Sequence, residues 1–239
     1  MRPCCHQYLL IFLINLVQSN KIKSSNSSDA GEKQGYHHGN LREALIQGGL
    51  KILREEGIEG VTLRAVAQYA GVSQAAIRNH YRDKNSLLAA MAAAGHVDLS
   101  KRRVRKRGQP TKLEDVIGLI FSNYVEFAIE NPDLFRLMFA YKSLRRQEYS
   151  DLESNSTAAL RNLMDLLSQA LALEGVFEKD VEPLTFKVWS AMHGIAMLAI
   201  DGQYVKIAGN KALIAQHCRE LAQMIAVGFV QVENLKKSS

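Results

Sequence analysis

The chain of 239 residues predicts an all-α fold: an N-terminal three-helix module, then a larger helical domain, with about nine helices in total. Three observations predict it. Apolar residues recur at intervals of three and four through most of the chain, the period of helices buried on one face. Only four prolines interrupt that pattern, and the β-branched alternation of half-buried strands is scarce. The length suits one small module plus one larger domain. The expected divisions are a leader over 1–34, a helix-turn-helix module over 35–96 and a C-terminal domain over 97–239.

The leader comes first. MRPCCHQYLLIFLINLVQSN joins an early arginine to an apolar run from Tyr8 to Val17, the length of a signal-peptide core and too short to span a bilayer. Residues 21–34 are polar and rich in Ser and Asn, the composition of a disordered arm. We expect synthesis to start nearer residue 30 and the protein to be cytoplasmic, with no membrane contact. An exported or membrane-tethered all-α interaction protein is the alternative.

The most informative stretch is VTLRAVAQYAGVSQAAIRNHYRDKNSLL at 61–88. Thr62 is a helix N-cap, its hydroxyl placed to accept an otherwise unpaired backbone N–H. Leu63, Val66, Ala67 and Ala70 fall at i, i+3, i+4 and i+7, one apolar stripe. Ala67 lies where two helices must cross closely. Gly71 ends the helix where a left-handed residue is needed, Val72 packs beneath the turn, and Ser73 caps the next helix. Ile77 then faces inward, leaving Gln74, Ala75, Arg78 and Asn79 pointing out. Gln, Asn and Arg are side chains that bond base edges in pairs. An ordinary helical hairpin would explain any one of these features. Their joint placement predicts two helices set for the major groove.

Residues 36–88 resemble the DNA-binding domain of the TetR (tetracycline-repressor) family, through YHHGNLREAL at 36–45, GVTLRAVAQYAGVS at 60–73 and HYRDKNSLL at 80–88. The resemblance implies a homodimer, an all-helical C-terminal domain and a small-molecule inducer. It also implies DNA contacts. Thr62 matches a phosphate contact, with Arg64 on the same helix and Ser73 at the next cap. Gln74 and Ala75 match groove-facing positions, beside Arg78 and Asn79. His80 and Tyr81 match the His-aromatic pair that closes the recognition helix. Lys84 matches a lysine at the start of the fourth helix, where ammonium and helix terminus both favour phosphate. Arg78 stands where the family usually has tyrosine, so its base preference is this chain's own.

Charge is distributed to match. The net +6 hides an asymmetry: residues 35–107 hold 13 Lys/Arg against 6 Asp/Glu, while 108–239 hold 13 against 16. Positive charge therefore sits in the module that would meet phosphate. The run KRRVRKR at 101–107 lies about 30 Å along a helix starting near Lys84, at 1.5 Å per residue, and reads as a solvated helix end.

Beyond Pro110 a series of amphipathic helices follows. Leu113, Val116, Ile120, Tyr124 and Phe127 mark one, stopped at Asn131-Pro132, and Pro132 opens a short one. Leu160, Leu163, Met164, Leu167 and Leu171 mark a longer one, closing near Gly175. Residues 182–202 and 210–232 are apolar on more than one face. The second carries Ile214, Cys218, Leu221, Ile225, Phe229 and Val232. Helices of that kind are buried on two sides, and the resemblance implies that they form a four-helix bundle with a partner subunit. VWSAMHGIAML at 188–198 resembles a Trp-His-Gly (WHG) C-terminal subtype of the family, through Trp189, His193 and Gly194.

Tyr124, Phe127, Phe135, Met138, Phe139, Trp189, His193 and Met197 are the candidate lining of an inducer cavity. Core packing accounts for the same residues equally well. Without clustered charge, a ligand there is expected to be apolar or weakly polar. Nothing in the chain points to an enzyme: no nucleophile–base pairing, no histidine–cysteine cluster at metal spacing and no phosphate loop. No cofactor or metal is expected. The reading is a ligand-responsive, homodimeric repressor of a palindromic DNA operator.

Overall fold

A computed structural model describes residues 41–102, 112–139, 144–176, 181–203 and 209–237. Among them are nine α-helices and no strand: α1 Leu41–Gly60, α2 Leu63–Tyr69, α3 Gln74–Arg78, α4 Lys84–Lys101, α5 Leu113–Glu130, α6 Pro132–Phe139, α7 Ser150–Leu173, α8 Glu182–Asp201 and α9 Lys211–Lys237, with a 3-10 turn at Arg146–Glu148. The all-α expectation holds. The leader, His37 and His38, and residues 103–107 of the basic run lie outside the described residues.

Helices α2 and α4 pack on α1, and α3 packs on α2. The inner face of α1 buries Leu41, Leu45, Ile46, Ile52 and Leu53, with Gly48 and Gly49 between them. A Cβ at Gly48 would stand 2.7 Å from Tyr69 Cδ1, and one at Gly49 2.7 Å from Met91 Sδ. That glycine pair lets α2 and α4 both approach α1 closely. Asp83 opens α4, accepting from the Ser86 N–H while Ser86 Oγ accepts from the Asp83 N–H, a reciprocal cap. Leu87 through Ala93 are all buried, because α4 packs against α1, α6 and α7 together. The division expected after residue 96 falls inside α4, which serves both parts of the chain.

In the C-terminal part α5 is central, packed against α6, α7, α8 and α9. Phe121 and Phe127 from α5 and Phe135 from α6 are fully buried. Asn131 ends α5 and Pro132 begins α6, as the sequence predicts. Two caps come from far along the chain. Glu174 accepts the Leu113 N–H at 2.9 Å at the start of α5. Arg136 donates to the Ile200 carbonyl at 2.8 Å and to Asp201 at 3.0 Å, closing α8 with a cation. On α9 the buried stripe is Ile214, Cys218, Ala222 and Ala226. Leu221, Ile225 and Phe229, expected to form it, flank it instead, and Val232 is half exposed.

Candidate nucleic-acid interface

The local structure of residues 62–84 follows from its caps. Thr62 is extended, and its hydroxyl accepts from Ala65 N at 3.0 Å. Val66 and Ala67 turn inward, 0% and 1% exposed. Gly71 takes φ 68°, a conformation cheap only for glycine, and Val72 N donates back to the Ala67 carbonyl at 2.9 Å. Ser73 then caps α3, accepting from Ala76 N at 3.1 Å. Ile77 is fully buried and pins α3 to the module.

Gln74, Ala75, Arg78, Asn79 and His80 are exposed around α3, and Thr62, Arg64 and Ser73 are accessible beside it. The structure therefore brings eight of the ten expected contact residues onto one accessible stretch. Each capping hydroxyl accepts its backbone bond and keeps its proton to donate to a phosphate.

Two residues differ from expectation. Tyr81 is not a surface group. It is 3% exposed and part of the hydrophobic core, and burial pushes its hydroxyl above the ordinary tyrosine range. Its N–H bonds the Ile77 carbonyl at 2.9 Å, which turns the ring back under α3. Lys84 is half-buried, and its Nζ donates to the Ile58 carbonyl at 2.8 Å. Its helix terminus is already capped by the Asp83 carboxylate, so any phosphate contact there rests on the ammonium's remaining N–H groups.

A cavity of about 310 Å³ lies between α4, α5, α7 and α8. Of the eight candidate residues, Tyr124, Phe139 and Trp189 line it, joined by Leu99, Ile120, Leu160, Leu163, Leu166 and Met192. Its polar rim is Ser100, Arg102, Asn123, Gln147, Glu153, Ser156, Thr157 and Asn162. Arg102 is held by Glu130 at 2.6 Å and lies over the Phe127 ring. The other five expected lining residues do not reach the cavity. Phe127, Phe135 and Met138 fill the core, at 0%, 0% and 4% exposure, because α5 and α6 pack these faces on each other. Met197 packs against that core.

His193 stands behind the cavity wall. Tyr124 Oη and His193 Nδ1 are 2.9 Å apart, and the imidazole stacks on Phe135 at 5.5 Å between centroids. Burial lowers the His193 pKa. Burial also raises that of Tyr124, partly opposed by its hydrogen bond with Trp189. An indole only donates, so in its contact with Tyr124 the Trp189 side chain gives to Oη, and Tyr124 Oη and His193 Nδ1 share the second bond, whose direction follows the imidazole tautomer. His96, also missed in the sequence, is buried on the cavity's α4 side, edge-on to Phe139 at 5.3 Å. A larger cleft of about 790 Å³ between α1, α4, α6 and α7 carries many charged groups, including Arg42, Lys51, Arg54, Asp98 and Asp151.

A capped two-helix reader on a positively charged module, joined to a helical core with its own cavity, defines a helix-turn-helix DNA-binding regulator. Two family models match the chain: "Bacterial regulatory proteins, tetR family" over residues 45–91, and "Tetracyclin repressor-like, C-terminal domain" over 120–221. The chain belongs to the TetR family, and it is a DNA-binding regulator. Among relatives, the HTH-type transcriptional regulator PksA of Bacillus subtilis (strain 168) is 23% identical over 193 residues, 77% of this chain and 91% of that one. Tetracycline repressor protein class C of Escherichia coli is 43% identical over 53 residues, only 22% of this chain and 24% of that one. Among solved structures, a Rhodococcus sp. RHA1 protein of unknown function matches with TM-score 0.66 and 26% identity, covering 81% of this chain and all of the other. A TetR transcriptional regulator from the same organism matches in fold, with TM-score 0.57 and 14% identity over 81% and 99%. Among the described residues no helix is long and apolar enough to cross a membrane.

Proposed function

We propose that the protein is a cytoplasmic, homodimeric repressor that reads a palindromic operator and leaves it when a small, uncharged, mostly apolar molecule fills the cavity. The observation that carries this reading is the exposed set Gln74, Ala75, Arg78, Asn79 and His80 around a helix that the Ser73 cap and the buried Ile77 hold in place. Such a surface has base-edge donors and acceptors that the protomer's own packing does not use.

The dimer reading is supported by α8 and α9. Phe186 and Met224 are 67% and 71% exposed, with Leu198, Val227 and Val232 beside them. Gly194 and Gly228 sit within these helices with open space where a Cβ would be. A glycine inside a helix costs about 0.5–1 kcal/mol relative to alanine, and nothing within the protomer requires either one. Close approach of a partner's helices gives them a purpose. Two such protomers would present two readers about a dyad, which fits a palindrome.

The ligand reading rests on charge. Arg102 is already paired, Tyr124 and His193 are held neutral, and the remaining charged group, Glu153, is solvent-exposed at the rim. A charged ligand would therefore shed its hydration with little to replace it. The Trp189–Tyr124–His193 chain supports a C-terminal domain of the Trp-His-Gly kind, in which Trp189 is the wall and His193 its brace.

The experiment is selection of bound DNA from random and genomic fragments. A recovered palindrome supports a dimeric reader, whereas sequence-blind, salt-sensitive binding overturns it. On that operator Arg78→Ala is expected to lose about 1–3 kcal/mol of specific binding if it reads a base. Lys84→Ala is expected to weaken all sequences alike and flatten the salt dependence.

A further inference from the structure

Two surface contacts join the DNA-reading module to the helical core. Asp151 Oδ2 is 2.7 Å from the Arg42 guanidinium, an ion pair between residues 109 apart in sequence. The Tyr149 side chain lies close enough to Arg82 to help hold its guanidinium charged, together with Asp83 at 3.1 Å. Tyr149 is the N-cap residue of α7 and Asp151 lies in its first turn. Arg82 and the buried Tyr81 follow α3 by only a few residues, and Tyr81 N is still bonded to the Ile77 carbonyl of α3. Tyr81 also feels the charges of both Arg42 and Asp151. The start of α7 thus holds α1 through Arg42 and stands beside Arg82, four residues past the recognition helix.

The same short segment is cavity wall. Gln147, Glu153, Ser156 and Thr157 line the cavity, flanking Tyr149 and Asp151 along the chain. From Ser150 to Thr157 is about 10 Å of helix at 1.5 Å per residue, so the wall and the brace move as one rigid piece.

We infer that Tyr149 and Asp151 are positioning residues for the DNA reader, and that a cavity occupant acts on DNA by displacing the first turns of α7 from Arg42 and Arg82. The second half rests on the cavity being a ligand site. The contacts are open enough to be released, since the Arg42 and Asp151 side chains are 52% and 62% accessible. A pair that exposed is worth a factor of about two to five in an equilibrium, enough to bias the reader and weak enough to let go.

The test is hydrogen exchange by mass spectrometry on the full-length protein, without DNA or ligand. Asp151→Asn is expected to raise exchange of the amides of residues 79–86 about two- to fivefold, with the rest of the molecule unchanged. Exchanging the charges, Arg42→Asp with Asp151→Arg, is expected to restore the original rates. A residue that merely stabilises the fold would show no such rescue. Thr157→Phe, which crowds the cavity from α7, is expected to raise exchange over the same amides. Unchanged exchange at 79–86 in Asp151→Asn, failure of the charge exchange to restore it, or a Thr157→Phe effect confined to the cavity would each overturn the inference. Absence of any selected operator would overturn the DNA-reading function instead, and the exchange pattern would still decide the brace.

Discussion

At Thr62 one hydroxyl serves two purposes that substitution can separate. Its oxygen accepts from Ala65 N, and its proton is free for a phosphate. Thr62→Ala is expected to lower stability by about 1 kcal/mol through the lost cap and to weaken DNA binding as well. Thr62→Asp keeps a good cap but sets a carboxylate against phosphate, so unfolding by urea should be unchanged while DNA affinity falls. Tyr81 makes the opposite case. Its hydroxyl is buried with no hydrogen-bond partner among the described residues. Tyr81→Phe is expected to leave DNA binding unaltered and stability equal or higher by about 1 kcal/mol, since it removes an unsatisfied polar group. A loss of DNA affinity in that variant would return Tyr81 to the interface. His193 gives a pH dependence. Burial holds its folded pKa below the ordinary 6.5, so the unfolded chain takes up the proton first. Stability should therefore fall as pH drops below about 6.5, and His193→Gln should remove that part of the fall. Urea midpoints at pH 7.5 and 5.5 in both proteins check it.

Among the elements, the turn between α2 and α3 is the most constrained. Gly71→Ala would place a Cβ at φ 68° and is expected to cost about 1–2 kcal/mol, read as a lower unfolding midpoint with the same slope. That turn is legible in the sequence because its demands are local: a cap, a small crossing residue, a left-handed glycine and a second cap within twelve positions. The Asn131-Pro132 break is legible for the same reason. What escapes is contact between distant segments. Arg42 with Asp151, Glu174 at the start of α5 and Arg136 at the end of α8 depend on how helices pair, and helical periodicity says nothing about partners. The aromatic residues show the limit clearly. Tyr124, Phe127, Phe135 and Phe139 share one apolar pattern, but only Tyr124 and Phe139 reach the cavity. A few tens of degrees of helix rotation separate wall from core, and spacing does not resolve that. Tyr81 escapes because its sequence neighbours are exposed, and its burial comes from core packing that the local pattern does not show.

Across the protein, the proposed dimer would link assembly to recognition. The apolar residues left open on α8 and α9 exceed what an isolated protomer has reason to expose. Met224→Asp is expected to shift the protein from dimer to monomer in sedimentation. It should also abolish binding to a full palindrome while leaving only weak, salt-sensitive half-site binding. A variant that stays dimeric would move the interface elsewhere. Charge works over the same distances: residues 35–107 hold 13 Lys/Arg against 6 Asp/Glu, an excess that attracts nucleic acid, while the remainder is slightly acidic.

The chain holds a single tryptophan, and it stands in the cavity wall with its indole bonded to Tyr124. The protein therefore carries its own optical gauge. Every photon it emits from an indole comes from Trp189, so a change in colour or intensity when a compound is added reports the contents of that cavity. No label is needed, and the Tyr124 and His193 neighbours of that indole are the groups a change in signal would report first.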